Sequence, residues 1–250
     1  MSLVRSTLTG CFFAVSLVGI GQTEEAPKID PIAAETIERA GALLAQAENI
    51  SVRWFVAYDE ILDGREKLTH MRSGFSLLSR EDGYYAHVVD GLDTREMYYD
   101  GTTLAIHDVE KDAYVQAYIP GDYEELIDRA DQEYGLEIPI WSVLSKRYQG
   151  QYLEDAETAA YIGLTRVGAQ LAHHVALSNY DEDWQVWISA DDDNPELLML
   201  VGTDPYTQGW PQYRVYFSDW DMNPEIEEGA FSFQPGENSE RMVWPKSPDQ

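Results

Sequence analysis

Beginning at Ile50, apolar side chains recur at every second position: Val52, Trp54, Val56 and Tyr58 share one parity, while Arg53 and Asp59 take the other. A period of two is the geometry of an extended strand with one face buried. The pattern returns after Asp63-Gly64, where Met71, Phe75 and Leu77 share a face. It recurs over Tyr84 to Val89, Thr94 to Tyr99, Thr102 to Asp108 and Tyr114 to Ile119. A second set covers Ala160 to Val167, Leu171 to Ser178, Trp184 to Ala190, Glu196 to Thr203 and Gln212 to Trp220, and Phe231 with Phe233 suggests a last strand. Asp-Gly steps such as Asp63-Gly64, Asp82-Gly83 and Asp100-Gly101 mark tight turns. Short turns between successive strands imply an antiparallel meander. A sheet of about eleven strands is expected to curl. The expectation is therefore a mainly β, α+β fold: one large curled antiparallel sheet, a half-open β-barrel, with helices covering its concave face.

Three segments change to helical spacing. Asp30 and Pro31 read as an N-cap and first-turn residue, followed by Ala33, Ile37, Ala40, Leu44 and Ala47 on one stripe and by a Glu35–Arg39 pair outside. That predicts a helix of roughly 17 residues. Asp122 and Glu125 match a capping box, with Leu126, Ile127, Ala130 and Tyr134 as the apolar stripe and Gly135 as the stop. A shorter helix is expected from Pro139, bearing Ile140, Trp141, Val143 and Leu144, with Lys146 and Arg147 at its end.

The first 21 residues follow another logic. Arg5, an apolar run from Phe12 to Ile20, and the small residues Gly19 and Gly21 form a secretory-signal pattern. A membrane anchor would need about 20 apolar residues, and this run is about half as long. Leu8-Thr9-Gly10-Cys11 resembles a lipoprotein box, but its apolar run follows the cysteine where it should precede it. The expected organisation is a signal peptide over 1–21, a linker over 22–29, one carrier-like domain over 30–244 and a flexible tail over 245–250. The expected location is the periplasm, with outer-membrane anchoring through Cys11 as the alternative. Cys11 is the only cysteine, so a disulfide within the chain is ruled out. With 17 basic and 45 acidic residues the net charge is −28, which opposes binding to nucleic acid or an anionic membrane surface.

No nucleophile elbow, zinc-protease helix motif or phosphate-binding glycine loop occurs, and neither a catalytic residue, a metal site nor a cofactor is expected. His173 and His174 are neighbours on a strand and should face opposite ways, which leaves His173 with Leu171, Val175 and Leu177 in the core. Asp191-Asp192-Asp193-Asn194 and the Asp181-Glu182-Asp183 run lack the spacing of a calcium loop and read as solvated turns. Asp219 and Asp221 share a strand side, as two-carboxylate hydrolysis would require, yet such pairs arise by chance in so acidic a chain. What stands out is the aromatic content on strand faces. Trp54, Val56, Tyr58, Phe75, Trp141 and Leu144 are the residues expected to line an apolar cavity beneath the helices.

Several ordered segments resemble the predicted periplasmic proteins of the domain of unknown function 2092 family. They are Ile29-Asp30-Pro31, Tyr98-Tyr99-Asp100-Gly101-Thr102, Tyr134-Gly135-Leu136-Glu137-Ile138-Pro139, Tyr161-Ile162-Gly163, His173-His174, Asp183-Trp184-Gln185-Val186-Trp187-Ile188 and Ser218-Asp219-Trp220. The resemblance implies a fold similar to the periplasmic lipoprotein carrier and receptor of the lipoprotein-sorting pathway, and it implies no activity. The family pattern often places a cysteine before the histidine pair, where this chain has Ala172. Three functions are weighed. The first is non-enzymatic binding or carriage of a lipid, acyl chain or lipoprotein. The second is a structural or assembly role with an envelope protein partner. The third is a hydrolase using carboxylates or His107, His173 or His174.

Overall fold

The structure, a computed structural model, describes residues 28–149 and 151–244. The expected signal segment, the lipoprotein box at Cys11, most of the 22–29 linker and the 245–250 tail lie outside them.

Helix α1 (Pro31–Gln46) leads into a six-strand meander of β1 (Asn49–Leu62), β2 (Glu66–Ser79), β3 (Gly83–Asp90), β4 (Asp93–Tyr99), β5 (Thr103–Asp108) and β6 (Ala113–Tyr118). Helices α2 (Tyr123–Tyr134), α3 (Trp141–Leu144) and α4 (Gln151–Glu154) follow. A second meander contains β7 (Thr158–Val167), β8 (Gln170–Ser178), β9 (Asp183–Ser189), β10 (Leu197–Thr203) and β11 (Gln212–Asp221), and β12 (Glu240–Arg241) is the last strand. The pairing of β1 with β11 fuses the two meanders into one twelve-stranded sheet among the described residues, ordered β12-β6-β5-β4-β3-β2-β1-β11-β10-β9-β8-β7.

The turn and cap chemistry accounts for these limits. Asp63 and Gly64 take φ of 49° and 67°, and the Arg65 N–H donates to the Leu62 carbonyl. This is a primed turn, whose twist matches that of the strands it joins. The Asp30 carboxylate accepts the Ile32 N–H at 2.8 Å at the start of α1. Both bonds of the Asp122–Glu125 box are formed. Gly135 ends α2 in the left-handed region, with the Leu136 N–H returning to the Ala130 carbonyl.

The expected curl is overturned. The sheet is open: β12 and β7 end the ladder on opposite sides and do not pair with each other, so it neither curls nor closes into a half-barrel. Turn signals decide which strands are neighbours, whereas closure also requires the two end strands to meet in a matching stagger. Here each edge is finished separately. β12 is two residues long. β7 is flanked by Ile29, with Asp30 N–H donating to the Ala159 carbonyl and Ala159 N–H to that of Lys28. Short or covered edges resist pairing with another chain.

Other local expectations also change. Phe231 and Phe233 form no strand; they lie on an irregular segment crossing the sheet face opposite the helices, where the Phe233 ring meets Tyr98, His107 and Tyr114. The helix expected from Pro139 is a single turn, because Ile140 enters the left-handed region at φ 48°. Arg39 reaches across to Asp192 at 3.1 Å in place of Glu35.

Candidate ligand-binding site

Strand register assigns the face that the helices cover. Trp54 stands opposite Gly74 and Phe217, Val56 opposite Arg72 and Val215, and Tyr58 opposite His70 and Tyr213. Through the β2–β3 and β3–β4 ladders the same face carries Tyr84, Ala86 and Val88, then Tyr99 and Met97. α1 packs over the β7–β10 half, and α2 sets Tyr123 against Tyr84 with ring centroids 5.3 Å apart.

Three hollows lie along this covered face. Beneath α1, Ile37, Leu44, Val186 and Leu200 enclose a cavity of about 60 Å³. A second, of about 220 Å³, has Trp54, Val56, Val88 and Met97 on its sheet side and Leu136, Pro139 and Ile140 above, with Arg72, Arg95, Asp90, Asp93 and Glu137 at its polar edge. A third, of about 520 Å³, is bounded by Tyr58, Trp141, Tyr148, Trp184 and Tyr213 together with Asp59, Glu182 and Asp204. The second and third adjoin, since Glu137, Ile140 and Tyr213 border both. Together they form an amphipathic recess.

Four buried polar groups hold its roof. The Trp54 indole N–H donates to Ser76 Oγ at 3.1 Å, and the Tyr84 hydroxyl donates to the Pro139 carbonyl at 3.2 Å. Because Tyr84 spends its proton on Pro139, Ser76 must donate to Tyr84 across the remaining 3.1 Å. This one-directional chain ties the 136–140 segment to the sheet. Burial, partly offset by Ser76, drives the Tyr84 hydroxyl upward, so it stays protonated and able to donate. Ile140 ends the segment with a β-branched residue at positive φ, a strain of about 1–2 kcal/mol that its burial must offset.

Two tryptophans lie over glycines. A Cβ on Gly74 would come within 2.3 Å of the Trp54 ring and 2.5 Å of the His87 carbonyl, and one on Gly202 within 2.8 Å of the Trp184 ring. Both glycines therefore exist to let an indole lie flat on the sheet. Gly74→Ala is expected to lower stability by about 1–3 kcal/mol and to displace Trp54 towards the recess. Urea denaturation monitored by tryptophan fluorescence measures both effects. An unchanged midpoint with an unchanged emission maximum would contradict this packing.

At the mouth of the larger hollow, Asp59 fastens three strands. Its side chain is 1% exposed, and it accepts from Thr69 Oγ1 at 2.8 Å, the Gln212 N–H at 3.1 Å and Arg214 at 3.2 Å, with Lys67 at 3.4 Å. Burial alone would raise its carboxyl; the hydrogen bonds from Thr69, Gln212 and Arg214 outweigh it and hold the group below its ordinary value. Glu182 goes the other way, raised by burial and then by the Asp204 carboxylate.

The expected lining residues are distributed as follows. Trp54 and Val56 border the 220 Å³ hollow, and Tyr58 and Trp141 the 520 Å³ one. Leu144 is buried in the core and borders neither. Phe75 stands opposite Arg53 on the other face, beside Tyr85, because the three-residue turn fixes odd positions of β2 outward. Sequence reasoning missed Arg72 and Tyr213, whose parity becomes readable only once strand partners are known, and Ile140, whose place follows from a left-handed turn that a β-branched residue does not announce.

The groups weighed for hydrolysis lie apart from the recess. His173 bonds the Tyr161 hydroxyl, whereas His174 faces the other way, stacked on Trp187 and bonded to Gln185. His107 sits between Glu96 and Asp112 on the opposite face, and the Ser239 hydroxyl donates to Asp112, with the carboxylate and not the imidazole as its acceptor. A serine nucleophile needs the reverse order. Asp219 takes φ 53° in a bulge, which breaks the alternation that would align it with Asp221. Asp191 caps its own turn through the Asp193 N–H. Among the described residues no group of three or more His, Cys, Asp or Glu side chains is placed to hold a metal ion, and no helix is long and apolar enough to cross a membrane.

Three solved structures resemble this fold at low identity. LprF from Mycobacterium bovis is 12% identical over 80% of this chain and 97% of its own, with a TM-score of 0.49. Lipoprotein LppX from Mycobacterium tuberculosis is 11% identical over 79% and 100%, at 0.41. A LolA superfamily protein from Nitrosomonas europaea is 9% identical over 80% and 97%, at 0.33. No curated protein matches the chain. A family profile described as "Predicted periplasmic protein (DUF2092)" matches residues 33–243, which span both meanders, the recess and the segment crossing the opposite face. The chain belongs to this family, domain of unknown function 2092.

Proposed function

We propose that this is a non-catalytic periplasmic protein, exported by a cleavable signal, that takes the acyl part of a lipid or lipoprotein into the recess between sheet and helices. The observation that carries this reading is the pair of adjoining hollows of about 220 and 520 Å³, floored by Trp54, Val56, Val88 and Met97 and walled by aromatic rings. Transfer of a methylene from water to such a surface is favourable by about 0.8 kcal/mol, so a chain of modest length would bind without any covalent chemistry. The family description and the leader pattern support the compartment.

A second reading, binding of an envelope protein partner, is favoured by a different observation: Ile162, Leu164 and Leu171 are exposed together at the β7 end of the sheet. Native mass spectrometry of the mature protein, prepared without detergent from its own periplasm and followed by organic extraction, separates the two. A near-stoichiometric acyl species is the expected result. A clean apo mass, with no uptake of added fatty acid or phospholipid, would remove the acyl reading and leave the partner reading in its place.

A further inference from the structure

Among the described residues, Arg72 is the one polar residue of the 220 Å³ hollow with a buried polar atom left unsatisfied, and its surroundings specify what would satisfy it. Its Nε is buried without a hydrogen-bond partner, and no ion pair to its guanidinium occurs among the described residues. Asp90 stands directly opposite it on β3, yet the guanidinium instead lies 4.7 Å over the Tyr58 ring. Tyr58 in turn stacks on His70 at 5.2 Å, so the platform beneath the cation is itself braced. On the other side lies the apolar floor of Trp54, Val56, Val88 and Met97. A half-buried guanidinium whose buried Nε–H lacks an acceptor is costly unless an anion completes it, and its fork of donors suits a carboxylate or phosphate.

Building on the acyl-binding reading, we propose that the recess selects amphiphiles with an anionic headgroup, the chain lying on the apolar floor and the carboxylate or phosphate meeting Arg72. Asp90, Asp93 and Glu137 at the exposed edge outnumber the exposed Arg95 there, and with the net charge of −28 they work against anions in general. Any preference for an anion over its neutral analogue therefore reports a local cation.

The test compares hexadecanoate, hexadecyl phosphate and hexadecanol by titration calorimetry on the folded mature protein. At least one of the two anions is expected to bind roughly tenfold to a hundredfold more tightly than the alcohol, and which of them does so names the headgroup. In Arg72→Met that ratio is expected to fall to about one, with Arg72→Lys intermediate. Arg53→Met, which removes a cation stacked on Phe75 on the opposite face, is expected to keep it. Equal binding of all three ligands to the unaltered protein would overturn the headgroup assignment and leave acyl binding standing; this arm needs no variant to fold. A ratio that survives Arg72→Met overturns it equally. Binding of none of the three would overturn the acyl reading and this inference with it.

Discussion

Replacing Asp59 by alanine is expected to destabilise the protein by about 3–5 kcal/mol, the cost of leaving a buried ionic network without one partner. Arg214 would keep the Gln212 side chain as a ligand, but the Gln212 N–H and the Thr69 hydroxyl would both lose their acceptor. The effect falls at one place, since Asp59 on β1 holds β2 through Thr69 and β11 through Gln212 and Arg214, and β1 pairing with β11 joins the two meanders. Urea denaturation at neutral pH measures it, and a loss below about 1 kcal/mol would show that solvent already shares the site. Acid supplies an independent check. A carboxyl held below its ordinary value contributes stability that is fully present above about pH 4, the unfolded value, and is lost as the pH falls through the lower folded value. The stability gap between the protein and Asp59→Asn should therefore stay constant from pH 7 to about pH 4 and narrow only below it. Taking the difference is necessary because Asp108, Asp112 and Asp204 are also held low and are lost in the same range.

Asp59 also illustrates what could be read in the sequence. Its outward parity on β1 is evident from Val52, Trp54, Val56 and Tyr58, but nothing local announces that Arg214 will stand opposite Ala57, two residues before it on the same face, after most of the chain has intervened. Features decided within a few residues were legible: the Asp63-Gly64 turn, the Asp30 cap, the Asp122–Glu125 box and the opposite facing of His173 and His174. Features decided by long-range register were not. β2 has apolar or aromatic residues available to both faces, so its alternation alone allows Phe75 on the cavity side, whereas its partner Arg53 lies outward. Gly74 carries no signal of its own in the sequence, and its meaning depends on Trp54 crossing from the neighbouring strand. Edge closure is the extreme case, because it concerns β7 and β12, which the local pattern never relates.

Filling the smaller hollow should separate ligand binding from packing. Val88 borders it from β3, opposite Gly74 and Arg95, and faces Leu136 and Ile140 across the space. Phenylalanine at this position brings in about four more carbons and excludes a comparable number of ligand methylenes. At about 0.8 kcal/mol for each methylene the loss is about 3 kcal/mol, a fall in acyl affinity of more than a hundredfold. Stability should move the other way or stay level, since the ring occupies existing space of about 220 Å³ and need not displace Trp54. Titration with hexadecanoate and a urea melt on the same Val88→Phe sample read the two quantities together. Affinity falling while stability holds means that the hollow is where the chain lies. If both fall, the ring has disturbed the Trp54–Ser76–Tyr84 chain and the space is ordinary packing around it. If affinity is untouched, the acyl chain lies elsewhere, with the 520 Å³ hollow between Tyr58, Trp141 and Trp184 as the remaining place for it.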